Sequence, residues 1–173
     1  GVGSDRKIRD AAYLSHDAVQ LEERVCSVRA VVQQNADELI SELEVSAIQI
    51  GWTVVRVESL EAVSRYVVEL AQEMKVRSVL RSVQPVVDRL RLEDWFSSTD
   101  IELRVMAIDE MSEESPDIQR RSLRERVVRA DMGVTGVDYA IAETGSCVLL
   151  AKKGLSRLVS LAPSVHVAVV ERG

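Results

Sequence analysis

Cysteine is scarce. Cys26 and Cys147 are the only two in 173 residues, and no CxxC spacing exists. Two isolated thiols cannot assemble a four-cysteine zinc or iron-sulfur site. No secretory hydrophobic segment opens the sequence, so both are expected as core thiols in a cytoplasmic protein rather than as a disulfide. A basic surplus is also missing: 22 Lys and Arg face 28 Asp and Glu, so the net charge is 22 − 28 = −6. Nucleic-acid and anionic-membrane partners are therefore disfavoured, because both reward positive charge. No apolar run approaches the roughly 20 residues of a membrane-spanning helix. No GxGxxG, Walker or GxSxG pattern is present, which argues against those nucleotide sites and against serine-hydrolase chemistry.

What remains is an ordinary globular composition, 46% hydrophobic and 29% charged, long enough for one compact core. Leu21, Val25, Val28 and Val32 recur at i, i+4, i+7 and i+11, the pattern of an amphipathic helix. Asn35 is placed to cap a second helix carrying Leu39, Leu43 and Ala47, which ends at Gly51. Trp52 to Val57 reads as a strand and Ser59 as the cap of a helix with Leu60, Val63, Val67, Leu70 and Met74 on one face. Val76 to Leu80 is the next strand, followed by a short helix over Pro85 to Leu90, a strand over Ile101 to Ala107, and a helix opened by Ser115 and Pro116 with Leu123 and Val127 facing inward. Arg77, Arg81, Arg120, Arg121, Arg124 and Arg126 read as exposed charge, the last four alternatively as a docking surface for a partner protein.

The last third holds Gly133, Gly136, Gly145 and Gly154, half of the eight glycines. Tyr139 to Ala142 and Cys147 to Ala151 read as two strands about a tight turn, and Val165 to Val170 as a final buried strand. Alternating strands and helices imply an α/β layer fold with a mostly parallel sheet.

Candidate chemistry concentrates between Asp131 and Ser146. Gly133 and Gly136 permit backbone geometries closed to other residues, while Thr135, Thr144 and Ser146 offer hydroxyls to an anion. The same residues also read as plain structural turns. Asp131 and Asp138 lack the dense oxygen-ligand run of a cation site, and no metal is expected. Glu143, between an apolar strand and a glycine turn, reads as a nucleophile or base, or as an acceptor for backbone donors. His166 lies within an apolar strand, either at a pocket mouth to bind an anion or as a packed, hydrogen-bonded residue. His16 reads as a solvated or capping residue near an acidic helix start. Lys152, Lys153 and Arg157 form the one local basic cluster of this third, an anion holder or a solvated loop.

The block from Ala130 to Ser146, centred on Thr135-Gly136-Val137-Asp138-Tyr139-Ala140-Ile141-Ala142-Glu143-Thr144-Gly145-Ser146, resembles the signature of the LUD-domain family, the lactate-utilization proteins that include LutC and YkgG. Arg157 to Pro163 and the His166 strand resemble that family's next segment, and Val57 to Glu61 and Arg77 to Arg81 its weaker motifs. The resemblance implies a three-layer, Rossmann-like fold of the NagB/RpiA/CoA-transferase type, with a helical region over 1–50 and the LUD-like unit over 51–173. It implies an accessory subunit in the oxidation of L-lactate to pyruvate, with iron-sulfur clusters carried by partner subunits and no cofactor in this chain. Read from the residues themselves, the candidate ligand-binding set is Gly133, Thr135, Gly136, Asp138, Thr144, Gly145, Ser146, Arg157 and His166, facing a small carboxylate or a partner. The fold's relatives also allow a stand-alone enzyme of the acyl-transfer or sugar-phosphate isomerase type using Glu143, or a ligand-binding regulatory module. Ser146 stands where the family usually has Thr. Relatives continue past the His166 strand into Gly-Pro-Ser-x-Thr-x-Asp-Ile-Glu and Gly-Val-His-Gly-Pro stretches expected to build part of a pocket rim, and the sequence ends at Gly173 without them.

Overall fold

The computed structural model describes residues 16–107, 115–150 and 155–172. The chain divides into two compact units, Gly1–Glu42 with Arg172–Gly173, and Leu43–Glu171. In the first unit lie helix α1, His16–Gln34, and the start of α2, Ala36–Gln49, where Arg172 pairs with Asp37 at 2.7 Å. Asn35 does not cap α2 as expected. Its side-chain amide donates back to the Val31 carbonyl at 2.8 Å, and the helical i to i−4 bonds continue on either side of it. Cys26, expected in the core, is exposed on α1.

The second unit is built on a parallel sheet. Helix α3, Leu60–Glu73, begins where the Ser59 hydroxyl accepts the Ala62 amide at 3.1 Å. Strand β1, Ser78–Ser82, leads into α4, Pro85–Arg89, and α5, Leu92–Phe96; β2, Glu102–Met106, leads into α6, Pro116–Val128. Then come β3, Met132–Gly136, a hairpin of β4, Tyr139–Ile141, and β5, Ser146–Val148, then α7, Leu155–Leu161, and β6, Val165–Val169. The sheet order is β2-β1-β3-β6, all parallel, with the antiparallel hairpin forming a separate two-stranded ribbon.

Side chains alternate across the sheet and give it two covered faces. On one, Val79, Met132 and Val134 pack with Val67 and Ala71 of α3, Val87 of α4 and Leu92 and Phe96 of α5. On the other, Leu80 and Met106 pack with Leu123 and Val127 of α6 and Val159 of α7. The inward placement expected for Leu123 and Val127 holds, and the three layers are helix, sheet, helix: a Rossmann-like α/β fold.

Several local expectations fail for identifiable reasons. Trp52 to Val57 joins no ladder and forms no strand, and Val55 and Val57 are exposed, so β-branched composition alone does not make it a strand. Met132 to Gly136, read from its glycines as loop, is the central strand and is buried at every position. Neither Gly133 nor Gly136 has positive φ; each is glycine because another chain segment occupies the place of its Cβ. A Cβ on Gly133 would stand 1.9 Å from the Val159 carbonyl oxygen of α7, and one on Gly136 2.5 Å from a methyl of Val86. β6 is an edge strand and only half-buried over most of its length. Arg81, expected as exposed charge, retains only 12% side-chain exposure and bonds Asp88 and Glu93 at 2.6 Å each. The short helix α5 is an element the spacing did not announce.

Candidate functional site

From β1 the chain moves to β2 on one side and returns to β3 on the other, so the carboxyl ends of β1 and β3 diverge at a topological switch point. Open α/β sheets bind ligands at such crevices. One polar group is built there, and a second lies beside it across β3 and β6.

The first is centred on Gln84, buried between β1 and α4. Pro85 follows it, which disfavours helical backbone at Gln84 and leaves it extended at φ −142, ψ 144. Its Oε1 accepts the Ser82 hydroxyl at 2.6 Å and the Gly136 amide at 2.8 Å. Its Nε2 donates to Asp138 Oδ2 at 3.3 Å, and the same carboxylate oxygen accepts the Leu150 amide at 2.8 Å. One side chain thus ties the end of β1 to the end of β3 and, through Asp138, to the segment just after β5.

The second is the pair Thr135 and His166. Thr135 is fully buried on β3, and its Oγ1 lies 2.8 Å from His166 Nε2 on β6. The Trp52 ring stands edge-on to the imidazole, centroids 6.0 Å apart. Burial pushes the His166 pKa below its ordinary 6.5, so the ring is neutral at pH 7. Nε2 is engaged by Thr135, and Nδ1 has no protein hydrogen bond among the described residues. A neutral imidazole held by one nitrogen presents the other as a donor or acceptor to a ligand.

The remaining candidates are distributed around this centre. Thr144 donates to Ser146 Oγ at 2.9 Å across the hairpin turn. Glu143 sits on that turn, exposed, with no hydrogen bond or ion pair among the described residues. Gly145 closes the turn at φ +66 and meets the backbone of α2, where a Cβ would stand 2.4 Å from the Ala47 nitrogen. Arg157 is exposed on α7 and has no ion pair among the described residues. Lys152, Lys153 and Gly154 lie outside the described residues. Asp131 works at the opposite end of β3, where Oδ2 accepts the amides of Arg77 and Ser78 at 2.8 and 3.1 Å. Among the described residues no group of three or more His, Cys, Asp or Glu is placed to hold a metal. Sequence reading missed Ser82, Gln84 and the role of Trp52. A Gln before Pro carries no chemical motif, and Trp52 was accounted for as strand.

The match to known sequences runs through this centre. The profile of the LUD domain covers residues 40–172, which includes Gln84, Thr135, Asp138 and His166. The chain belongs to the LUD-domain family. Relatives of this LUD domain include electron transport protein YkgF of Escherichia coli (strain K12), 23% identical over 86% of this chain and 39% of YkgF. Lactate utilization protein C of Halalkalibacterium halodurans is 26% identical over 81% of this chain and 56% of its own length. Lactate utilization protein B of Bacillus pumilus reaches 45% identity over 64 residues, 35% of this chain and 14% of the relative. The chain thus spans between about two fifths and just over half of the relatives it matches along most of its length. No solved structure matches it. No helix among the described residues is long and apolar enough to cross a membrane.

Proposed function

We propose that this LUD domain serves the oxidation of L-lactate to pyruvate and that the Thr135–His166 centre across β3 and β6 receives a small carboxylate. The observation that carries the reading is that the family match, shared with relatives named for lactate utilization, runs through the Thr135–His166 pair. A 2-hydroxy acid offers a hydroxyl hydrogen, and a neutral imidazole whose Nδ1 has no hydrogen bond among the described residues is suited to accept it. Two isolated cysteines supply too few thiolates for an iron-sulfur cluster. On this reading the electron-carrying clusters belong to partner subunits, in keeping with a relative named for electron transport.

The test is genetic and then biochemical. In its own host, cleared of any other L-lactate dehydrogenase, deletion of the coding sequence is expected to abolish growth on L-lactate and spare growth on pyruvate. Unimpaired growth on L-lactate would overturn the assignment. Anoxic affinity purification from lactate-grown cells is expected to recover an iron-containing, cysteine-rich protein, and an iron-free, partnerless chain would remove the accessory-subunit reading. Carried on a plasmid, Thr135→Val is expected to slow growth on L-lactate while the protein remains folded.

A further inference from the structure

Helix α1 carries apolar side chains that nothing in the described residues covers: Leu21, Val25, Val28 and Val32 are 61, 44, 62 and 47% exposed. Their spacing of 4, 3 and 4 is that of a heptad seam, with Val25 and Val32 at a and Leu21 and Val28 at d. On a lone surface helix such a row is a liability. It is resolved when a second helix of the same period lies against it.

We propose that α1 mediates self-association, pairing antiparallel with α1 of a second copy of this chain. The argument is the charge flanking the seam. Glu22 and Arg29 occupy e positions and Arg24 a g position, all exposed and without an ion pair among the described residues. In a parallel pair, g meets e of the next heptad in the partner, which sets Arg24 against Arg29 of the second copy, like against like. In an antiparallel pair, e meets e. The register that brings Glu22 to Arg29 of the second copy brings Arg29 to Glu22 as well, by the two-fold axis. That same register layers Val25 on Val28 and Leu21 on Val32 of the second copy, and reciprocally. All four apolar residues are buried by the alignment that satisfies both ion pairs, whereas shifting by one heptad loses layers and pairs together. The contact is isologous and closes at two chains.

Sedimentation equilibrium of the full chain over a range of concentrations tests this. A reversible monomer–dimer equilibrium is expected, approaching twice the 19.2 kDa chain mass. Val28→Glu is expected to leave a folded monomer, with helicity checked by circular dichroism. The decisive variants lie on the surface. Arg29→Glu alone, or Glu22→Arg alone, turns two attractive pairs into repulsive ones and is expected to weaken the dimer roughly tenfold. Together they restore the original affinity. A parallel arrangement predicts the opposite for Arg29→Glu, which would then tighten association, and that result overturns the proposal. So does a chain that stays monomeric at every concentration, with Val28→Glu altering only its thermal stability.

Discussion

His166 Nε2 and Thr135 Oγ1 meet at 2.8 Å across two parallel strands although neither is the other's register partner. Gly133 stands opposite His166, and Ala168 opposite Thr135. The contact is diagonal, and the residues left beside the imidazole and the hydroxyl are small. Gly133 admits the Val159 carbonyl of α7, so the helix seats directly on the strand at the register partner of His166. The hydrogen bond is therefore a product of side-chain size along β3 as much as of the two residues that make it.

Stability should record the buried imidazole. Burial lowers the His166 pKa from 6.5, so below that pH the unfolded chain binds the proton more readily than the folded one. Folding stability is then complete above about pH 6.5 and declines as pH falls from there towards the folded pKa. His166→Gln is expected to flatten this decline relative to the parent in denaturant titrations from pH 5 to 8. An identical slope in both proteins would place the titration elsewhere.

Gln84 offers a sharper test of the switch-point network. Gln84→Glu keeps the shape but sets a second carboxylate against Asp138 Oδ2, 3.3 Å from the present amide nitrogen. A cost of about 2 kcal/mol at pH 7 is expected, relieved on acidification and largely reversed by adding Asp138→Asn. Equal losses at pH 5 and pH 7, with no rescue by the second substitution, would mean that the two side chains are uncoupled.

These residues mark how far the sequence could be read. The helix over Leu60 to Met74 was legible because its cap and its apolar period agree, and the hairpin because a glycine turn separates two apolar runs. β3 was not, since its glycines are there for helices and loops that close over it from elsewhere in the chain, and spacing along β3 cannot reveal those neighbours. Thr135 and His166 stood out as residues, but their pairing depends on the order β2-β1-β3-β6. Gln84 gave no sign at all: its role exists only once β1 and β3 lie side by side. Arg81 likewise looked like surface charge until α4 and α5 brought Asp88 and Glu93 around it.

Gly145 and Gly51 separate two reasons for glycine. Both have positive φ, +66 and +99, but Gly51 has open space around the place of a Cβ, while Gly145 faces the backbone of Ser46 and Ala47. Gly51→Ala is expected to cost about 1 to 2 kcal/mol from backbone conformation alone. Gly145→Ala adds overpacking against helical backbone that cannot turn aside, for a total of about 3 kcal/mol or more. Parallel urea unfolding of the two variants checks the order, and a Gly51→Ala loss equal to that of Gly145→Ala would contradict it.

Glu143 and Thr135 should part company under mutation. Glu143 is exposed on the hairpin turn and makes no hydrogen bond among the described residues, so Glu143→Gln is expected to change stability by less than about 0.5 kcal/mol. Thr135 is fully buried and its hydroxyl holds His166; Thr135→Val keeps the volume, removes the bond and is expected to cost about 1 kcal/mol. Growth of the complemented deletion strain on L-lactate adds the chemical half of the comparison. Impaired growth with Thr135→Val, at a temperature where the variant remains folded, follows from a centre at the Thr135–His166 pair. Normal growth with folded Thr135→Val, together with loss of growth in an equally folded Glu143→Gln protein, would instead move the centre from the sheet to the hairpin turn, where the Glu143 carboxylate is exposed.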